Sequence, residues 1–290
     1  MQNNINFDEF KCRCSAISQL LSDSRSNPQL TEKQAETIKL YEAKPNITEN
    51  QAQELARLLL IKENSTKVIL SDTCIAYLME WYSWHTAGKE PVSKEAMYIQ
   101  YVEKGKDVEA DSIELLSKVN GIKYHKNEKR IFNDYLTGIP DIFVGEQIMA
   151  ANKISDIKSA WDYPTYLKKL NIPISKANDL QIKGYMDITG ATEGEVCDCL
   201  VDAPPRIMKD FHDALLRKMN VISEDSPEFI KEWEIMERSL IFSDIPYKQR
   251  VFKKPVEAFN EFDQQKLYDK VKICREWLWS FHETYIKLNN

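Results

Sequence analysis

The chain has no long apolar segment. No stretch approaches the ~20 consecutive apolar residues that a membrane-spanning helix requires. The N-terminus also lacks the basic, apolar and small-residue regions that make up a secretory signal peptide. Because both signals are missing, we expect a cytoplasmic protein that does not associate with a membrane.

Thiols and imidazoles are few, and they are not arranged as a zinc site. The chain contains six cysteines and four histidines. The cysteines are Cys12, Cys14, Cys74, Cys197, Cys199 and Cys274. Their C-x-C pairs do not have the spacing of a structural zinc site, and the histidines are scattered. We therefore expect free thiols in a reducing compartment.

An excess of basic residues is likewise absent. The formal net charge is −6, which argues mildly against a general nucleic-acid binder. Lysine and arginine are nevertheless clustered at residues 118–130, 168–176, 206–209 and 248–254. Such clusters either contact phosphates along a groove or form ordinary solvated faces.

Two acidic residues and a lysine form the most informative pattern in the chain. Side chains alternate along a strand, so Asp156 and Lys158 would share one face while Ile157 points to the core. If residues 138–141 lead into an adjacent strand, Asp141 reaches the same place. Carboxylates bind Mg²⁺, which offsets phosphate charge and activates water, and a lysine can orient or deprotonate that water. The alternative is a surface salt bridge on a strand.

The segment before these residues predicts a helix with a carboxylate near its buried face. Glu109 falls with Ile113 and Leu116 at positions i, i+4 and i+7. A buried carboxylate needs a partner, for which a metal ion is one candidate and a nearby lysine is the other.

The segment after them predicts a second helix, with Ser175 as its N-cap and Gly190 just beyond its end. Gln181 and Tyr185 are four residues apart and therefore lie on the same side of this helix. The Gln181 amide can brace Lys158 or a metal-bound water, whereas Tyr185 can equally be an ordinary core residue.

The order of these elements resembles the PD-(D/E)XK nuclease superfamily, and more narrowly the lambda-type, YqaJ-like viral recombinase exonucleases. A helix with G-x-x-x-E precedes P-D, then D-I-K-S, then Q-x-x-x-Y and a further strand. The resemblance covers about residues 95–205 and weakens toward both ends. It implies an α/β fold whose restriction-endonuclease-like core has a mixed central sheet flanked by helices, with helical N- and C-terminal additions.

The resemblance also implies roles for the matching residues. The ligands of one or two Mg²⁺ or Mn²⁺ ions would be three carboxylates and one backbone carbonyl, those of Glu109, Asp141, Asp156 and Ile157. Lys158 would assist the attacking water, and Gln181 and Tyr185 would complete the catalytic set.

Three further residues are candidate DNA contacts. Arg13 and Ser15 are similar to an arginine and a serine that bind a terminal 5′ phosphate in this family, and Ser159 follows the catalytic lysine. An iron–sulfur cluster is not expected. The CRISPR-associated adaptation nucleases that carry one have grouped C-terminal cysteines, whereas only Cys274 follows Cys199 here.

The resemblance predicts a metal-dependent deoxyribonuclease that hydrolyses phosphodiester bonds from linear duplex ends, in viral recombination, repair or genome processing. The alternatives are a PD-(D/E)XK endonuclease, structure-specific or nicking, and a catalytically silent DNA-binding member. The resemblance further implies a homo-oligomer that encloses DNA, a single-strand annealing protein as a partner, and the host cytoplasm as the location if the source is viral.

The predicted organisation is a helical region at residues 1–94, the nuclease core at 95–205 and a helical extension at 206–290, packed as one compact unit. Capping boxes at residues 31–34 and 48–51 open two N-terminal helices. In the extension, a heptad-like apolar stripe at residues 267–288 predicts packing onto the core or a contact between subunits. Strands are expected near residues 122–126, 129–136, 141–145, 152–158 and 195–201.

Overall fold

A computed structural model describes residues 5–22, 30–66, 70–89, 100–220 and 223–289. The helices are α1 (Ile17–Leu20), α2 (Glu32–Glu42), α3 (Glu49–Thr66), α4 (Asp72–Ala87), α5 (Gln100–Asp107), α6 (Glu109–Asn120), α7 (Tyr163–Leu170), α8 (Lys176–Thr189), α9 (Pro205–Met219), α10 (Pro227–Arg238) and α11 (Glu261–Asn289). The strands are β1 (Cys12–Arg13), β2 (His125–Lys126), β3 (Ile131–Phe132), β4 (Leu136–Gly138), β5 (Ile142–Val144), β6 (Lys153–Ser159), β7 (Glu193–Cys199) and β8 (Val251–Val256). The predicted boundary between residues 94 and 95 lies outside the described residues.

The strands form two sheets. The smaller sheet has the order β1-β4-β3, in which β1 runs parallel and β3 antiparallel to β4. The larger sheet has the order β2-β5-β6-β7-β8, in which β6 and β7 are parallel and the other neighbours are antiparallel. This mixed sheet with flanking helices confirms the predicted α/β fold class.

The predicted strand at residues 129–136 is wrong, because the segment contains two short strands, β3 and β4, separated by a turn. The Asn133 side-chain oxygen accepts hydrogen bonds from the backbone N–H groups of Tyr135 and Leu136, at 2.9 and 2.7 Å. An Asn side chain that bonds the backbone two residues ahead stabilises a turn in place of a continuous strand.

The extension after residue 205 is not helical throughout, which corrects a second prediction. Strand β8 pairs with β7 as the last strand of the larger sheet. It carries Lys253, Lys254 and Pro255, residues that edge strands tolerate but that weaken the sequence signal of a strand.

The chain folds as two compact units. The helical unit comprises the described residues of ranges 1–10, 19–90 and 266–290, and the sheet unit comprises those of 11–18 and 91–265. The N-terminal helices and most of α11 therefore belong to one unit, while both sheets belong to the other.

The helical unit is packed around aromatic side chains. The rings of Phe7 and Trp279 meet edge to face with centroids 4.8 Å apart, and the Tyr82 hydroxyl lies 2.8 Å from Nδ1 of His282. Both predicted capping boxes are present, at Thr31 and Thr48. Among the described helices, none has both the length and the apolar composition needed to cross a bilayer.

The apolar stripe of α11 packs within the helical unit. Its first four members are fully buried, and the sulfur of Cys274 lies 3.8 Å from that of Cys74 on α4. The stripe ends before the helix does, because Tyr285 and Leu288 are 48% and 79% exposed. The stripe therefore contacts the N-terminal helical region.

In the sheet unit, helices cover both faces of the larger sheet. Helix α6 packs on one face, where Leu116 joins a buried cluster with Tyr124, Ile142, Cys197 and Cys199. Helices α7 and α8 lie on the opposite face, which they reach through polar contacts described below. Strand β6, near the middle of the sheet, is thus enclosed on both sides.

Candidate active site

Strand β6 places Asp156 and Lys158 side by side on the face covered by α8. Lys158 Nζ lies 2.8 Å from Asp156 Oδ2, and Asp156 is 1% exposed. Ile157 points the other way and packs against the Leu116 cluster. The alternation predicted from the sequence is confirmed, and the ion pair joins a buried carboxylate to a lysine whose side chain is 38% exposed.

Asp141 reaches this pair from the start of β5. Strands β5 and β6 are antiparallel with Ile142 opposite Ser155, so the next pair along the ladder would be Asp141 and Asp156. The Asp141 carboxyl therefore faces the side chain of Asp156, close enough for the charge of each group to affect the other. The predicted meeting of the P-D and D-x-K segments is therefore present.

A buried asparagine holds the turn that carries Asp141. The Asn127 side-chain amide donates to the Pro140 carbonyl at 3.0 Å, and its backbone N–H donates to the Asp141 carbonyl at 2.9 Å. With 6% of its surface exposed, Asn127 is part of the interior. These bonds fix the backbone on both sides of the Pro140–Asp141 peptide bond.

The two carboxyl groups are too close to be fully ionised together. Removal from water, and next the adjacent Asp156 carboxylate, raise the pKa of Asp141, although Lys158 acts in the opposite direction. Without a cation, Asp141 therefore holds a proton more readily than an ordinary aspartate. A divalent cation would offset the repulsion between the two groups and favour their ionised forms.

Lys158 is an ammonium ion in this site. Burial alone would lower its pKa, but the acidic groups of Asp156, Asp141 and Asp198 together outweigh burial, so the pKa lies above its ordinary value. Lys158 therefore offers a positive charge and N–H donors and does not accept a proton at neutral pH.

Helix α8 supplies the polar cover of the site. Gln181 Nε2 donates to Asp156 Oδ1 at 3.4 Å and to the Tyr185 hydroxyl at 3.0 Å, which confirms that Gln181 and Tyr185 share a side of the helix. The amide thus braces Asp156, whereas the sequence suggested Lys158 or a water. Gly138 makes room for the Tyr185 ring, because a Cβ at position 138 would lie 2.6 Å from Tyr185 Cε1.

Glu109 lies at the first turn of α6 and faces a lysine. Its carboxylate is 3.0 Å from Lys126 Nζ, and its side chain is 31% exposed. Because Lys126 pairs with Ile142 in the sheet, this ion pair is next to the strand that Asp141 begins. The second alternative from the sequence, a lysine partner for Glu109, is thus the arrangement present.

The donor set fits a hard divalent cation through two carboxylates. Asp156 Oδ2 is buried without a correctly oriented hydrogen-bond donor, although the Lys158 ammonium lies nearby. Carboxylate oxygens of this kind are the preferred ligands of Mg²⁺ and Mn²⁺. In the part of the chain that the structure describes, no three His, Cys, Asp or Glu side chains already form a metal-binding group. Glu109 could become a third ligand only if its carboxylate left Lys126 and bound the ion instead.

The candidate DNA contacts differ in their surroundings. Arg13 and Ser15 are exposed, and β1 pairs with β4 through Arg13 and Thr137. Cys14, between them, packs against α8 so closely that a Cβ at Gly184 would lie 3.0 Å from its sulfur. The Ser159 hydroxyl is 3.0 Å from that of Ser112 on α6.

Sequence reasoning missed three buried polar residues around the site, namely Lys104, Asn127 and Asp198. Asp198 is opposite Lys158 in the parallel β6–β7 ladder and is 3% exposed. A single aspartate inside the apolar run Val196–Val201 was a signal that could have revealed it. Lys104 and Asn127 have no comparable signal, since their partners are distant in sequence.

Two carboxyl groups and a lysine thus lie side by side on the central strands of a mixed sheet flanked by helices. Solved structures share the fold over nearly the whole chain. A phage-related exonuclease from Haemophilus somnus 129PT superposes with a TM-score of 0.53 at 19% identity, covering 97% of both chains. No protein-family profile matches the chain, and no curated protein matches its sequence.

An alkaline exonuclease from Laribacter hongkongensis superposes with a TM-score of 0.52 at 11% identity, covering 98% of this chain and 94% of that one. Its complex with dAMP gives a TM-score of 0.51 at 12% identity, covering 97% and 94%. At these identities the similarity establishes the fold. The resemblance predicted from the sequence is confirmed at that level.

Proposed function

We propose that the chain is a metal-dependent DNA exonuclease that hydrolyses phosphodiester bonds from the ends of duplex DNA. The observation that supports this most strongly is that Asp141 faces the buried Asp156 beside Lys158. The same fold occurs in two proteins described as exonucleases. A role in viral recombination, repair or genome processing is part of the proposal.

The acidic residues would hold Mg²⁺ or Mn²⁺. Asp141 and Asp156 would be the principal ligands, with the Ile157 carbonyl beside them and Glu109 as a third carboxylate once Lys126 is displaced. A bound ion of this kind offsets phosphate charge and lowers the pKa of water. Gln181 would keep the Asp156 carboxylate oriented toward the ion.

Lys158 would act through its charge. An ammonium whose pKa lies above its ordinary value holds its proton at neutral pH, so Lys158 is suited to orienting the attacking water. It would also offset the negative charge that develops on the phosphate in the transition state. Tyr185, buried below Gln181, would support that side chain and not contact the substrate.

The experiment that tests this function compares linear and closed DNA. End-labelled linear duplex and covalently closed circular DNA are incubated with Mg²⁺, with Mn²⁺ and with EDTA, using the wild-type chain and Asp156→Asn. We expect metal-dependent loss of the linear substrate only, and none with the variant. Cutting of the circle would establish an endonuclease, and binding without cleavage under any metal would establish a silent member.

Two partners belong to the same proposal. The resemblance implies a homo-oligomer that encloses DNA and a single-strand annealing protein that receives the product strand. Sedimentation of the chain with and without a short duplex would test the first of these, since an enclosing oligomer keeps its stoichiometry when it binds one duplex.

A further inference from the structure

A polar cavity opens at the end of β6, beside the segment that carries Lys158. It has a volume of about 400 Å³ and is lined by Lys104, Ser159, Ala160, Trp161, Thr165 and Lys169. One of the lining residues, Ser159, directly follows Lys158 in the chain. It contains two ammonium groups and two hydroxyl groups, and none of these described lining residues is acidic. The proposed hydrolysis uses none of these groups.

Lys169 is held in place by a buried aspartate. Its Nζ lies 2.7 Å from Asp198 Oδ1, while Lys254 Nζ lies 3.3 Å from Asp198 Oδ2. One carboxylate therefore serves two ammonium groups, and the three side chains together carry a net positive charge. The Lys169 side chain remains 31% exposed, so a ligand can reach it. A lysine anchored in this way loses less conformational freedom when it binds an anion.

Lys104 adds a second positive charge beneath the cavity. It is 1% exposed and donates hydrogen bonds to the carbonyls of Ala160 and Trp161, at 3.2 and 2.9 Å. Among the described residues no other hydrogen-bond acceptor is recorded for it, and its Nζ lies 5.7 and 5.2 Å from the ring centroids of Trp161 and Phe242. Burying an ammonium group without an ion-pair partner is unfavourable, and a bound anion would offset that penalty.

We propose that this cavity is a phosphate subsite that takes the phosphodiester group next to the one held by Asp141, Asp156 and Lys158. Lys169 and Thr165, one helical turn apart on α7, would contact the phosphate oxygens. Asp198 would be a positioning residue, because it acts through Lys169. Its partner in the ladder is Lys158, and neighbouring strands lie about 4.8 Å apart, so the subsite adjoins the reacting group. The choice of DNA as the ligand rests on the proposed function.

The test measures binding of a short 5′-phosphorylated duplex to the full chain in EDTA at pH 7, at several salt concentrations. Each phosphate contact made by a lysine changes the slope of log affinity against log salt by about 0.9. Lys169→Met should therefore lower that slope by about 0.9 and weaken binding by about 3- to 10-fold. Thr165→Val removes no charge, so it should weaken binding without changing the slope. The matched control is Lys168→Met, an exposed neighbour on the same helix, which should change neither quantity.

Two results would overturn the inference. One is a folded Lys169→Met chain with unchanged slope and affinity. The other is an equal loss of DNA affinity in Lys168→Met, which would mean that the positive charge of the whole surface attracts DNA and that there is no specific subsite. If thermal unfolding shows that Lys169→Met is not folded, the Thr165→Val variant is used for the test instead. Unchanged DNA affinity in that variant would contradict the subsite.

Cleavage assays on the same variants separate this inference from the proposed function. If DNA binding depends on Lys169 but no DNA is ever cleaved, the subsite is supported and the nuclease function is contradicted. If linear DNA is cleaved but binding does not depend on Lys169 or Thr165, the nuclease function is supported and the subsite is contradicted.

Discussion

The two faces of strand β6 are both covered by helices, but their central residues are chemically opposite. On one face Ile157 packs against an apolar cluster that includes Leu116, which is 0% exposed. On the other face Asp156 and Asp198 are 1% and 3% exposed, yet both are acidic residues with lysine partners. At its middle the strand therefore contributes packing through Ile157 and a polar site through Asp156 and Lys158.

The difference shows which residues are expected to contribute to stability and which to chemistry. Apolar burial stabilises a fold at about 25 cal/mol per Å². Buried ion pairs contribute little net stability, because desolvation offsets their attraction. Changes on the α6 face should therefore mainly lower stability, whereas changes on the α8 face that keep a hydrogen-bonding group of similar size should mainly lower activity.

The largest expected effect is on the charged face. Lys158→Gln removes the ammonium but keeps a donor near Asp156, so the fold should persist. Cleavage of linear duplex in Mg²⁺ should fall by about 10³-fold, since charge stabilisation of the transition state is lost. Single-turnover cleavage and thermal unfolding measure the two quantities. Activity near that of the wild type would contradict the role of Lys158.

The matching change on the apolar face is Leu116→Ala. It should lower the free energy of unfolding by about 2–5 kcal/mol, because it leaves a cavity in a closely packed cluster. Denaturant unfolding measures this value, and Leu167→Ala on α7 is the control, since Leu167 is 41% exposed. Cleavage per folded molecule should be unchanged. A loss of activity without a loss of stability would reverse the assignment of the two faces.

Much of this contrast could be predicted from the sequence, because it depends on local periodicity. Alternation along a strand places Asp156 and Lys158 together, and the helical repeat places Gln181 near Tyr185. Contacts between distant segments could not be predicted in the same way. Asn127 holding the Asp141 turn and Asp198 joining two lysines both depend on how the strands are ordered.

Strands β1 and β8 were not predicted for the same reason, namely that each is defined by its pairing with a distant segment. Strand β1 has two residues, too few for a periodic signal, and it is defined by its pairing with β4. Strand β8 lies more than fifty residues after β7 and carries a proline, so its position beside β7 follows only from the folded sheet.

A pH effect is expected at the end of β6, where Lys104 bonds two carbonyls. Burial lowers the pKa of Lys104 from 10.5 to about 8, and Asp202 and Asp162 only partly oppose it. Between these two values the unfolded chain holds a proton that the folded chain has released. The free energy of unfolding should therefore rise with pH across this window, by about 3 kcal/mol in total.

Lys104→Met provides the comparison for this effect. Unfolding free energies of both chains at pH 7.5, 9 and 10.5 give their difference at each pH, in which other titrating groups cancel. The wild type should gain on the variant as pH rises. A difference that stays constant, or that falls, would contradict the burial of a charged Lys104.

The smallest expected effect is at Gln181, whose amide donates a hydrogen bond to Asp156. Gln181→Ala leaves Asp156 without its amide donor, and cleavage should fall by about 10- to 100-fold. The control is Lys183→Ala on the same helix, where Lys183 pairs with Asp179, 3.0 Å away. Metal titration of cleavage should show a weaker apparent affinity for Mg²⁺ in Gln181→Ala alone. Equal behaviour of the two variants would mean that Gln181 has no part in orienting Asp156.

The most direct measurement is Mn²⁺ binding by the wild-type chain, Asp156→Asn and Asp198→Asn, followed by electron paramagnetic resonance of the free ion. Both variants remove a buried carboxylate from the same face of the sheet, but only Asp156 contacts Asp141. We expect Mn²⁺ to bind the wild type and Asp198→Asn, and to bind Asp156→Asn about 100-fold more weakly. Equal Mn²⁺ affinity in Asp156→Asn, or no Mn²⁺ binding by the wild type, would contradict a metal-dependent nuclease centre at this pair.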